Sequence, residues 1–169
     1  YFTMEVVKWK TTVWIDGKCV GSETSLCAPH RYCLGELDEG EHTIVVCVDN
    51  GYQYPYRPDG HMVSDALGAT WNGMAGKVAI SSVPYVHIES VKVYPDIDKK
   101  ELKAEVTVRN HKAINQEINI KIGDSDLTTT VEQGSNTFVL MIDYPQDTKL
   151  WDEYSAKLHE ITVILEFEG

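Results

Sequence analysis

Between residues 51 and 76 the sequence loses regular alternation and collects side chains suited to one kind of chemistry. Tyr52, Tyr54, Tyr56, Trp71, Asn72 and Asp65 combine flat apolar rings with short polar groups, and His61 lies among them. A sugar presents an apolar C–H face ringed by hydroxyls. An aromatic ring covers that face, while Asp and Asn side chains exchange hydrogen bonds with the hydroxyls. The candidate ligand-contacting residues are therefore Asp65, Trp71, Asn72, His61 and Tyr54. The competing reading has the aromatics pack the loop onto its own domain. Nearby glycines favour that role for Trp71, because they permit close backbone packing. For His61, beside Asp65, a structural hydrogen bond is the simpler role and ligand binding the second.

Other chemistries find less support. Glycoside hydrolysis needs two carboxyl groups about 5 to 10 Å apart across a cleft. Glu36, Asp38, Glu39, Glu41, Asp96, Asp98 and Glu101 fall instead at turns and strand exteriors, as a solvated acidic surface requires. No G-x-S-x-G elbow exists and no Gly-rich phosphate cradle follows a strand. His30, His42, His61, His87, His111 and His159 are scattered; His42 and His87 are expected inside strands, with structural roles. Cys19, Cys27, Cys33 and Cys47 form no C-x-x-C pair and no zinc spacing with histidine. They are expected to be small buried apolar groups, with one disulfide as the alternative in an exported protein. No catalytic residue, metal or cofactor is assigned.

Charge narrows the partners. The 169 residues carry 26 acidic and 15 basic side chains, a formal net charge of -11. Such a field repels phosphate backbones and anionic lipid surfaces, so neither nucleic acid nor membrane is expected as a partner. No run approaches the roughly 20 apolar residues that span a bilayer.

The elements that must position these residues read as strands. Helical periodicity is almost absent, and period-two alternation is punctuated by Gly, Pro, Asn and Asp. Asp16-Gly17 separates Thr11–Ile15 from Lys18–Val20, which is hairpin-turn chemistry because both positions tolerate positive φ. His42 to Val48 is apolar on both faces and reads as the central strand of a sandwich. Ser81-Ser82-Val83-Pro84 marks a boundary, giving domains at 1–84 and 85–169. In the second, Val86 to Val93 forms a strand closed by Pro95-Asp96. Leu102, Ala104, Val106 and Val108 alternate with Lys103, Glu105, Thr107 and Arg109. Ile118, Ile120 and Ile122, then Leu127 to Val131, then Phe138, Leu140 and Ile142, then Ile161 to Phe167 follow. Short strands at this spacing predict an immunoglobulin-like sandwich.

Five segments, in order, resemble one family. Thr12–Gly21 (TVWIDGKCVG) resembles the V-W-x-N-G-x-x-V-G hairpin of the sugar-binding domain of glycoside hydrolase family 2, which includes β-galactosidases, β-glucuronidases and β-mannosidases. Glu41–Asn50 resembles its N-x-L-x-V-x-V-D-N strand. Trp71-Asn72-Gly73-Met74-Ala75-Gly76 resembles the W-N-G-I-x-G segment that closes that domain. Val86–Asp96 resembles the start of the family's immunoglobulin-like domain. Leu150–His159 resembles its L-W-x-x-x-x-P-x-L-Y segment, with Ala156 in place of Pro and His159 in place of Tyr. Asp16 stands where Asn is common, and Lys77 where Arg often follows the closing glycine.

The resemblance implies an all-β chain: a partial jelly-roll (galactose-binding-like) sandwich followed by an immunoglobulin-like sandwich. It implies a non-catalytic region that begins after the first jelly-roll strands and stops before the barrel holding the catalytic glutamates. Its partners would be that barrel and a carbohydrate substrate, with Asp65 and the Trp71-Asn72 pair reaching the terminal sugar. A periplasmic or extracellular location would suit a bacterial polysaccharide degrader. The alternative is a free-standing carbohydrate-binding or adhesion module.

Overall fold

Period-two alternation becomes antiparallel sheet throughout the described residues, which are 1–54, 57, 60, 66, 68, 71–144 and 147–168 of a computed structural model. The chain divides into two units, Tyr1–Ser82 and Val83–Gly169. The fold is all-β: a jelly-roll-type sandwich followed by an immunoglobulin-like one.

The first unit contains β1 (Phe2–Lys8), β2 (Lys10–Ile15), β3 (Lys18–Thr24), β4 (His30–Tyr32), β5 (Ile44–Asp49) and β6 (Gly73–Ile80). They form two three-stranded sheets, β4-β1-β6 and β3-β2-β5. Phe2, Met4, Val7, Val13 and Tyr32 build the core, supported by Val20, Leu34, Ile44, Val46 and Val48. One polar thread runs through it. His30 Nε2 donates to the Ser25 carbonyl at 3.1 Å, which leaves Nδ1 to accept from the Thr11 hydroxyl at 2.5 Å. The Tyr32 hydroxyl meets the Thr11 hydroxyl at 2.6 Å. Buried polar groups are tolerated when paired in this way.

Two expectations about this unit are corrected. The strand following Asp38–Gly40 is an edge, not a centre: β5 pairs only with β2 among the described residues. Ile44, Val46 and Val48 face inward, while Val45 and Cys47 are exposed. An apolar outer face there mimicked a buried strand. His42 lies outside the strand. The cysteines are also not core groups: all four are free thiols at exposed positions. Cys47 falls on the outward phase of β5, and Cys27 and Cys33 flank β4 rather than lie in it. Small size does not override strand phase.

The Asp16-Gly17 turn forms as its chemistry requires, with φ of 48° and 79°. Its carboxylate has a second task. Asp16 Oδ1 accepts the Thr43 amide at 2.8 Å and Oδ2 meets His42 Nδ1 at 2.6 Å. His42 Nε2 donates to the Asp38 carbonyl at 2.8 Å. With an acceptor on each ring nitrogen, the Asp38 carbonyl first and Asp16 second, the imidazolium is favoured and the His42 pKa rises above 6.5. The His42 contact, followed by the Thr43 amide, lowers the Asp16 pKa below 3.8. A raised histidine pKa stabilises fully below its unfolded value and less as pH climbs through the folded one. A lowered Asp pKa stabilises fully above its unfolded value and less as pH falls through the folded one. The clasp therefore holds best between about pH 4 and 6.5. Asp16→Asn keeps the turn, since Asn tolerates positive φ, and removes the charge. The expected result is a lower His42 titration midpoint by NMR; an unchanged midpoint would show that the carboxylate does not hold the ring.

The second unit contains β7 (Val86–Asp96), β8 (Glu101–Asn110), β9 (Gln116–Ile122), β10 (Ser125–Val131), β11 (Gly134–Asp143) and β12 (Val163–Glu166). Its sheets are β11-β8-β7 and β10-β9-β12. The alternating residues meet between them: Ala104, Val106 and Val108 from β8, Ile118, Ile120 and Ile122 from β9, with Val86, Val131 and Leu140. Each such aliphatic side chain beyond Ala contributes about 1.5–3 kcal/mol by leaving water. β7 runs three residues past the expected end at Val93, through Pro95 to Asp96, which an edge strand accepts. A bulge between Ile88 and Ser90 sets Glu89 out of register. Its carboxylate accepts from Ser135 Oγ at 2.7 Å and from Arg109 Nη1 at 3.1 Å, fastening the bulge to β8 and β11.

Candidate functional site

Strand register brings four chain segments to one corner of the first unit. Lys8, the last residue of β1, pairs with Gly73, the first of β6. Lys10, the first residue of β2, pairs with Asp49, the last of β5. Trp9, Asn50 and Asn72 are the next residues along, so all three meet at this corner. Trp9 joins one sheet to the other and its backbone N–H donates to the Asp49 carbonyl at 3.2 Å.

The corner has an aromatic floor. Trp9 is 1% exposed. The rings of Tyr52 and Tyr54 lie 6.2 and 6.0 Å from it, tilted by 51° and 50°. Tyr52 is 55% and Tyr54 47% exposed, so one indole supports two rings that face solvent. Their backbone leaves β5 through a turn held by Asp49. Its Oδ1 accepts the Gly51 amide at 2.9 Å and its Oδ2 accepts Gln53 Nε2 at 3.3 Å. Short-range side-chain acceptance of this kind is how Asp organises turns.

The corner also has a polar clasp. Asn50 Nδ2 donates to Asn72 Oδ1 at 2.7 Å. Asn72 is itself exposed. Further along β6 the closing glycine has a backbone reason: Gly76 has φ of +73°, and a Cβ there would lie 2.5 Å from Glu5 Oε2. That same oxygen accepts the Lys77 amide at 2.7 Å.

Of the residues singled out in the sequence, Tyr54 and Asn72 belong to this corner. Trp71 is half-buried immediately before Asn72. His61 and Asp65 lie outside the described residues. Two contributors escaped sequence reasoning. Trp9 had a signal, the buried alternation Val7, Trp9, Thr11, Val13, Ile15. Asn50 had none, since its place depends on pairing between distant strands.

Every described carboxyl with a resolved shift moves down: Asp16 through His42, Glu89 through Ser135, Asp96 through the Lys99 amide, Glu105 through Lys103. A general acid needs the opposite shift. Among the described residues, no group of three or more His, Cys, Asp or Glu is arranged to hold a metal ion.

Residues 86–169 match the family model described as Glycosyl hydrolases family 2. Solved structures match nearly the whole chain. A GH2 β-galacturonidase from Eisenbergiella tayi is 21% identical over 98% of this chain and 30% of its own, with a TM-score of 0.74. Bacteroides uniformis β-glucuronidase is 17% identical over 98% of this chain and 22% of its own, with a TM-score of 0.78. β-D-Mannosidase from Dictyoglomus thermophilum is 18% identical over 99% of this chain and 25% of its own, with a TM-score of 0.62. At these identities the likeness is one of fold. The chain spans less than a third of each of these proteins. No curated protein sequence matches it significantly.

Proposed function

The chain belongs to glycosyl hydrolases family 2 through residues 86–169, and from that premise we propose that it shapes the sugar pocket of a glycoside hydrolase whose catalytic barrel lies elsewhere in the complete protein. The observation that carries this reading is the corner at Trp9: two exposed tyrosines on a buried indole, beside an amide fixed by Asn50. The rings suit a sugar's C–H face and the Asn72 amide suits its oxygens. The sequence adds Trp71, His61 and Asp65 to this set. In this role the corner contributes orientation and binding at a chain-end sugar, and the proton transfers belong to the barrel.

The test is made in the complete protein with aryl glycosides. Asn72→Ala and Tyr54→Ala are each expected to lower kcat/KM about 10-fold, roughly 1.4 kcal/mol of lost transition-state binding. Both sites are exposed, so the melting temperature should hardly move. Unchanged kcat/KM in both variants would reduce the corner to a structural feature. Tight binding of mono- or oligosaccharides by residues 1–169 alone would favour a free-standing carbohydrate-binding module instead.

A further inference from the structure

Between β11 and β12 the described chain from Asp147 to Thr162 forms no strand, and large apolar side chains face water along it. Leu150 is 52%, Trp151 61%, Tyr154 93% and Leu158 86% exposed. A long connection of this kind is usually functional, and apolar groups gathered on one exposed segment mark an interaction surface.

Polar bonds, in place of burial, give the segment its shape. Asp152 Oδ1 accepts the Tyr154 and Ser155 amides at 2.8 and 2.6 Å. The Asp152 and Lys157 amides donate to the Ser155 carbonyl at 3.2 and 2.7 Å. His159 Nε2 donates to the Lys149 carbonyl at 2.7 Å and pins the two ends of the loop together. Asp orders turns in this way without a core beneath them. A loop held by its own polar groups, with rings and leucines outward, has already met part of the ordering cost of entering another surface.

The side chains select the occupant. A sugar stacks on rings, and Leu150 and Leu158 offer it neither a ring nor a hydrogen bond. A second copy of this chain would have to supply an apolar socket. The cavity beside β9 and β12, about 380 Å³, is ringed by Gln116, Glu117, Glu166 and Glu168, and burying leucine there would strip water from carboxylates. The solved proteins that share this fold carry it in 22% to 30% of their own length. A complete protein of that kind therefore offers ample further surface.

We infer that the loop Leu150–His159 docks in an apolar socket on the catalytic barrel of the complete protein and fastens the second unit to it. The inference rests on the reading above, that a barrel lies elsewhere in the complete protein, and adds the place where the two join.

The test is hydroxyl-radical oxidation of the complete protein, read residue by residue, together with a photo-crosslink from the loop. Trp151 and Tyr154 are expected to oxidise about 10-fold more slowly in the native than in the urea-unfolded protein, as the buried centre of an interface does. Benzoylphenylalanine in place of Tyr154 should crosslink within one molecule to a peptide outside residues 1–169. Leu158→Asp puts a carboxylate against the socket. It should lower the melting midpoint by about 4 °C or more and return Tyr154 to nearly its unfolded oxidation rate. Oxidation of both rings at close to the unfolded rate in the unaltered native protein overturns the inference without recourse to any variant. So does a crosslink to a second copy or to a residue within 1–169, since the cover is then not the barrel. A Leu158→Asp protein with unchanged midpoint and unchanged oxidation overturns it as well. The pocket reading is separable: a protected, barrel-crosslinked loop with unchanged kcat/KM in Asn72→Ala and Tyr54→Ala leaves the docking standing and removes the pocket. Lowered kcat/KM in those variants with an unprotected loop does the reverse.

Discussion

Replacing Trp9 with alanine is expected to cost the first unit about 3–5 kcal/mol of stability and to disable the corner at the same time. The size of the effect follows from burial. Trp9 is 1% exposed, so truncation removes an indole from a closed space that the surrounding sheets cannot fully collapse into. The neighbours that would have to close the gap are strand residues fixed on both sides, by the β1–β6 and β2–β5 ladders. For a domain of this size about 1 kcal/mol moves the melting midpoint by about 4–8 °C, so the expected fall exceeds 10 °C. The rings of Tyr52 and Tyr54 lose the surface they rest on, at 6.2 and 6.0 Å. Trp9→Phe retains an aromatic ring and should recover more than half of the lost stability. Calorimetric melting of the complete protein measures both. A Trp9→Ala midpoint within a few degrees of the unaltered protein would mean that the indole is not the foundation of the corner.

The contrast between Trp9 and Asn50 shows what a sequence of this kind discloses. Alternation reports the phase of a side chain, so β8 and β9 could be written down residue by residue: Val106 and Ile120 inward, Glu105 and Lys121 outward. Turn chemistry reports backbone angles, and Asp16-Gly17 adopts the positive φ values its residue types favour. Neither signal reports which strands are neighbours. β5 looked central because Val45 and Cys47 are apolar, yet nothing in the described chain covers them. Asn50 and Asn72 are 22 residues apart and meet only because Lys8 pairs with Gly73 while Lys10 pairs with Asp49. What was legible in the candidate site was its composition, aromatic rings with short amides. Its geometry is a long-range property of two sheets joined at one residue.

Purified residues 1–169 are expected to release no phenol from aryl glycosides above the buffer rate. The argument concerns protons more than folds. Glycoside hydrolysis needs one carboxyl that is protonated near neutral pH and a second that is ionised, facing each other across the sugar. Protonation at that pH requires desolvation or a neighbouring negative charge that raises the pKa. The carboxyls whose surroundings are resolved here have the reverse arrangement. Glu89 is held by the Ser135 hydroxyl and the Arg109 guanidinium, Glu105 by the Lys103 ammonium, and Asp96 by Lys99. Each contact stabilises the ionised form and lowers the pKa. Glu5 and Asp49 spend oxygens on backbone amides at a bulge and a turn. Glu89, Glu105 and Asp96 thus fasten strands and turns in their ionised form. Enzymatic hydrolysis exceeds the uncatalysed rate by a factor of at least about 10⁶, so even a partly competent pair would be conspicuous. The informative failure would be turnover that survives repurification and disappears with a single Glu→Gln or Asp→Asn substitution. That acid would then be the proton donor, and the proposal that catalysis belongs to a separate barrel would fall.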